Sequence, residues 1–179
     1  LMTNVGFHHA TQVVIAAGAR APHLLQPLGI KVPLETERGY HVMLPTHGLS
    51  MTTTISNKSR SFGVTPMEHG LRVAGTVEIA GLDAPPDERR GKALIANVQT
   101  MFPGVNTEDP RFWMGFRPST PDSLPLLGEV AGHPNLFLAV GHGHFGMTGG
   151  PPSGHLLARL INNEPPGIDT APYHPDRFA

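Results

Sequence analysis

The sequence predicts a mixed fold, α+β with an α/β component, and three observations carry that reading. Residues 51–80 read as a β-rich block with a hairpin turn at Glu68-His69-Gly70. Thr11 to Ala17, TQVVIAA, is a continuous β-branched run of the kind buried in a parallel sheet. Near the end, an apolar run at Asn135 to Val140 breaks into a glycine-rich turn, Gly141 to Gly150, and then into the helix-like segment SGHLLARLI.

Taken in order, residues 1–10 carry no strong signal, and Gly18 closes the run at 11–17. Ala21 to Leu28 predicts a short helix with Leu24, Leu25 and Leu28 on one face, kept irregular by Pro27 and ended by Gly29. Leu34 to Leu44 alternates as a strand. Met51 to Ser56, Ser61 to Met67 and Leu71 to Ala80 are the strands of the β block, with Asn57 to Arg60 as a polar tip. Asp83 to Gly104 holds the best helix: Asp83 or Asp87 can cap it, and Glu88 suits the positive end of its dipole. Leu94, Ile95, Val98, Met101 and Phe102 form one apolar stripe, and Pro103-Gly104 stops it. A strand at 111–116, a proline-rich turn, a strand at 135–140 and a helix from about Ser153 to Asn162 follow. After Glu164 a proline-rich tail lies along the surface.

Composition narrows the function classes. A formal net charge of −1 gives no electrostatic case for nucleic acid. Cys is absent, which removes disulfides, thiolate metal sites and cysteine nucleophiles. No apolar run approaches the ~20 residues that span a bilayer, and no signal peptide is visible. The expected location is cytoplasmic, free or peripheral at the inner membrane. Gly (21) and Pro (19) are abundant but dispersed between apolar runs, so they predict many short elements joined by turns rather than disorder.

The chemistry concentrates between Arg111 and Gly150. Gly141 to Gly146 formally matches G-x-G-x-x-G after a strand and before a helix. A dinucleotide-binding βαβ unit needs a further parallel strand after that helix, and EPPGIDTAPYHPDRFA offers none. The segment is therefore the last strand–turn–helix of a fold. Its first helical N–H groups lack internal partners and suit an anion or an electron-rich ring edge. His142 and His144 lack a third ligand at regular spacing, so a metal site is not expected. Arg117 follows an apolar run containing Trp113 and Phe116; it can clamp a carboxylate bidentately, or serve as an ion pair at a strand end. Tyr40 can touch a substrate, although a sheet tyrosine more often packs with its hydroxyl satisfied.

Several motifs, in order, also carry a family resemblance. GFRPSTPDSLPLLG and NLFLAVGHGHFGMT resemble the C-terminal part of FAD-dependent D-amino acid dehydrogenases, within the D-amino acid oxidase and glycine oxidase family. VVIAAGA, RGYHV, TPMEHGLRVAGTVEIAGLD and IDTAPYHPDRF extend the likeness over nearly the whole chain. The resemblance implies the C-terminal part of an FAD-binding Rossmann-like domain plus an antiparallel-sheet substrate domain with a packing helix. It places residues 1–33 in the FAD domain, 34–110 in the substrate domain and 111–179 back in the FAD domain. The implied cofactor is FAD. Cofactor contacts fall on Ala17, Gly18, Gly143, His144, Phe145, Gly146, Met147 and Thr148, and substrate contacts on Arg117 and Tyr40. No catalytic acid or base is implied. The implied reaction is hydride transfer from the Cα of a D-amino acid to flavin N5, with a quinone or another electron acceptor downstream. A glycine or sarcosine oxidase, or an inactive fragment, is the alternative. The family's opening strand, glycine-rich turn and helix for the pyrophosphate have no counterpart here, so a fragment joined to a missing N-terminal half is expected.

Overall fold

The computed structural model describes residues 1–178. The chain forms two compact units, Glu37–Phe116 and a discontinuous one made of Leu1–Thr36 with the chain from Arg117 onward.

The discontinuous unit is built on a three-stranded sheet of β3 (Val13–Ile15), β10 (His133–Val140) and β9 (Leu126–Val130), in the order β3-β10-β9. β3 runs parallel to β10, pairing Val13 with Leu136 and Ile15 with Leu138, and β9 is antiparallel to β10. A hairpin, β1 (Met2–Thr3) and β2 (Gly6–Phe7), precedes them and is exposed throughout. The core gathers Ile15, Ala21, Leu25, Leu126, Val130, Leu138 and Val140. β3 is shorter than the run at 11–17 suggests and is not buried as expected: Ile15 is in the core, but Val13 is half-buried and Val14 is 41% exposed on the uncovered face. α1 (Ala21–Leu25) gives way to a 3-10 turn, Gln26–Leu28, closed by Gly29 at φ 73°. Pro27 tightens that turn and breaks the expected face: Leu25 is buried, whereas Leu24 and Leu28 are exposed.

The second unit carries a sheet in the order β5-β6-β7-β4-β8, from β4 (Glu35–Leu44), β5 (Ile55–Asn57), β6 (Phe62–Met67), β7 (Gly70–Ile79) and β8 (Arg111–Ser119). β4 carries the chain into the unit and β8 carries it out. The β6–β7 hairpin closes where expected, with Met67 opposite Gly70. β4 and β7 slip register between Gly39 and Tyr40, leaving Thr76 as the extra residue at φ 64°. α2 (Glu88–Met101) is capped by Asp87, whose carboxylate accepts from the Arg89 N–H at 3.0 Å. Its stripe packs as expected: Leu94 and Val98 are buried with Val42, Val64, Leu71 and Val73, and Ile95, Met101 and Phe102 lie against that core.

Three further expectations are corrected. The stretch between the strands at 111–116 and 135–140 is not only a turn but contains β9, whose Leu126, Leu127 and Val130 are buried. β8 runs past residue 116 through Arg117 and Pro118 to Ser119. α3 spans Gly146–Ile161, beginning seven residues before Ser153 with Pro151 and Pro152 inside it. The tail lies along the surface as expected and is pinned there: Arg177 grips Asp122 with two hydrogen bonds of 2.8 and 2.9 Å and donates to the Leu124 carbonyl at 2.7 Å.

Candidate cofactor and substrate site

β10 delivers the chain into the glycine turn. Gly141 is buried at φ 83°, and a Cβ there would press to 2.7 Å on Thr120 Cγ2, so only glycine makes this exit. His142 follows in helical conformation, and its carbonyl accepts the Phe145 N–H at 2.9 Å, forming the 3-10 turn Gly143–Phe145. α3 starts at once, with no side-chain cap on its first N–H groups. The Thr148 hydroxyl is turned to the Phe145 carbonyl at 3.2 Å. Of the cofactor residues expected from the sequence, Gly143 to Phe145 form this turn, and Gly146 to Thr148 form the first turn of α3. His144, Phe145, Gly146, Met147 and Thr148 are all exposed, with Met147 at 93%.

The uncapped, exposed N–H groups fit the electron-rich edge of a flavin ring. Ala17 and Gly18 lie at the end of β3, where the chain turns into a 3-10 helix. Gly18, at φ 55°, has open space on the side a Cβ would take.

Arg117 lies beside this turn through β8. Ser119 forms an antiparallel bridge with His142, and its Oγ is 3.2 Å from the position of a Gly143 Cβ. Arg117 precedes Ser119 by two residues, so their side chains leave the strand on the same face. Its Nη1 is buried without a hydrogen-bond partner. A guanidinium N–H removed from water without an acceptor is costly, and a carboxylate is the ligand its fork fits best.

Tyr40 belongs to the other unit and is buried there. Its hydroxyl donates to Glu78 Oε2 and accepts from the Asp87 N–H at 3.1 Å. Burial, then the bond to Glu78, raises its pKa above the ordinary tyrosine value. Arg38, fully buried, pairs with Glu78 at 3.4 Å. Sequence reasoning missed the neighbour of Tyr40: His41 stacks on Trp113 with centroids 4.7 Å apart and planes 19° from parallel. His41 Nδ1 is buried without a partner, and burial, then the Arg72 charge, lowers its pKa. Tyr40, His41, Asp87, Phe112 and Trp113 line a cavity of about 260 Å³ within this unit. Only the apolar context of Trp113 was visible in the sequence. Among the described residues, no group of three or more His, Asp or Glu side chains is placed to hold a metal. Nor is any helix among them long and apolar enough to cross a membrane.

The turn leaves a strand that has a parallel partner and lies near a half-buried arginine, and comparison with known proteins places the chain that carries them in a family. Residues 2–160 match the family model described as FAD dependent oxidoreductase, and the chain belongs to that family. It is 39% identical over 182 residues to a D-amino-acid oxidase of Bradyrhizobium diazoefficiens, and 35% identical over 181 residues to a D-amino acid dehydrogenase of Paramagnetospirillum magneticum. Each alignment covers 99% of this chain and 43% of the relative, so the chain spans less than half the length of these proteins. The structure of glycine oxidase from Geobacillus kaustophilus superposes with a TM-score of 0.81 at 27% identity, over 98% of this chain and 48% of that one.

Proposed function

We propose that the chain is the C-terminal portion of an FAD-dependent enzyme that oxidatively deaminates D-amino acids. The observation that carries the substrate half of this reading is Arg117 Nη1, buried and without an acceptor, on a strand whose next same-face residue touches the glycine turn. Arg117 holds the substrate carboxylate with two parallel bonds and so fixes how the Cα–N bond is presented. The N–H groups of Gly146 to Thr148 would hold the pyrimidine edge of a bound flavin, and Ala17-Gly18 would take its adenosine side. A bound FAD supplies the acceptor for the two electrons that leave the amine as it becomes an imine, which water then hydrolyses. The chain's own work is positioning and electrostatics: a fixed cation for the carboxylate and fixed dipoles where negative charge grows. No residue here has to remove the proton if the amine is bound unprotonated.

The names of the relatives support both a dehydrogenase, passing electrons to a quinone or a similar acceptor, and an oxidase that uses oxygen. The full-length protein decides between them. Incubation with D-alanine and with its L enantiomer, with oxygen uptake and reduction of a quinone analogue followed in parallel, is expected to give turnover with the D form only. Arg117→Ala should raise KM for the D-amino acid strongly and leave flavin content unchanged. A normal KM in that variant would remove Arg117 from the site, and turnover of the L form alone would overturn the proposed stereochemistry.

A further inference from the structure

The glycine turn has a side-chain fastener that the reading above does not use. His142 Nε2 lies 2.9 Å from Ser153 Oγ, eleven residues on and two turns into α3. Ser153 is buried, and His142 is half-buried. The ring lies against the first turn of the helix, beside Gly146 and Gly149. A Cβ at Gly146 would sit 3.5 Å from His142 Cβ, and one at Gly149 would sit 3.6 Å from His142 Cδ2. The same residue is bridged to Ser119, and its carbonyl holds the Phe145 N–H. Backbone and side chain together, this one residue joins the end of β10, the end of β8 and the body of α3.

The start of α3 needs such a fastener. Pro151 and Pro152 have no N–H, so the carbonyls of Met147 and Thr148 four residues earlier have no intrahelical donor. With no side-chain cap and three glycines in its first five residues, the turn has little local stiffness of its own. We propose that His142 is a positioning residue for the cofactor: through Ser153 it fixes the direction in which the N–H groups of Gly146 to Thr148 point. Burial lowers the pKa of His142, so the ring is neutral near pH 7 and acts through its hydrogen bond rather than its charge. The inference rests on the proposed flavin contact at residues 146–148.

The test uses the full-length protein and three variants. His142→Phe keeps the ring volume and removes the hydrogen bond. His142→Gln places an amide at similar reach, and Ser153→Ala removes the partner. Loss of fixed dipoles weakens the reduced, negatively charged cofactor more than the oxidised one. His142→Phe and Ser153→Ala should each shift relative affinity about tenfold against the reduced form, a fall in midpoint potential of about 30 mV for two electrons. His142→Gln should restore most of it. The Phe145 and Gly150 amides should exchange with solvent about tenfold faster in the Phe variant, a readout that needs no flavin. Unchanged potential and exchange in the Phe and Ala variants would overturn the proposal, as would a Gln variant that behaves like Phe. A wild-type protein without flavin would instead remove the functional reading, and the exchange rates would still decide whether His142 sets the turn.

Discussion

At the scale of single residues, two arginines do opposite things with the same fork. Arg177 has its carboxylate in place, and that bidentate grip, reinforced by the Leu124 N–H, holds the Asp122 carboxyl well below the usual carboxylate range. A depressed folded-state pKa contributes stability that is complete above the ordinary value near 4 and drains away as pH falls below it. The pair is partly solvent-exposed and therefore screened, so the effect is local to the tail and to β9. Hydrogen exchange of the tail amides is expected to accelerate as pH drops from about 5 towards 2, after correction for intrinsic rates. Asp122→Asn should show that acceleration already at neutral pH and lose the pH dependence. Arg117, by contrast, holds Nη1 buried and open. Losing a bidentate contact to a buried carboxylate costs about 2–5 kcal/mol. Lys at this position should recover only part of it, because an ammonium lacks the planar fork. A lysine variant with native KM would show that charge alone, not geometry, binds the substrate.

At the scale of elements, close packing sets the tolerances. Gly70 sits at φ 127° at the β6–β7 turn, where a Cβ would land on the Leu44 carbonyl oxygen and the Pro45 backbone. Gly70→Ala therefore clashes with backbone that cannot rotate away, and should lower thermal stability more than any exposed substitution in β7. Leu94→Ala, in the fully buried stripe of α2, should cost about 2–5 kcal/mol by chemical denaturation. A cost near zero would mean that α2 does not pack as described. These same elements were readable in the sequence because one local rule governs each. The Leu94/Val98 stripe has helical period, Glu68-His69-Gly70 is turn chemistry, and Val13-Val14-Ile15 is a β-branched run. β9 was hidden because Pro125 precedes it and Gly128, at φ 135°, interrupts it; its strand character comes from pairing with β10, which no local pattern encodes. The true start of α3 was hidden for a related reason. Gly-Gly-Pro-Pro is poor helix sequence, and it is helical here with His142 and Ser153 joined across it. Arg117 could be picked out as a lone cation after an apolar run, but its missing acceptor is visible only in three dimensions. The His41–Trp113 stack joins residues 72 positions apart and left no trace in either segment.

At the scale of the whole molecule, the chain presents large apolar side chains to solvent at Met2, Val5, Phe7, Ile79, Phe145 and Met147, alongside a free edge on β3. Such surface needs a cover, and an open strand edge is a template for pairing. The 179 residues expressed alone are expected to self-associate and to lose FAD on gel filtration, because in the proposed reading the helix start at Gly146 and the β3 end would touch only one side of a cofactor. A monomer that keeps stoichiometric flavin absorbance would contradict this. The pairing of β3 with β10 also sets a clock. Val13 waits for Leu136, 123 residues later, which at roughly 5–20 residues per second is about 6–25 s of synthesis. Glu37–Phe116 is complete on the ribosome during that wait, with its hairpins built from neighbours in sequence. The later-made unit can therefore fold before the β10 side of β3 meets its partner. In the 179-residue chain truncated after residue 130 and released, a protease pulse should cut around Val13 and spare the segment between 37 and 116.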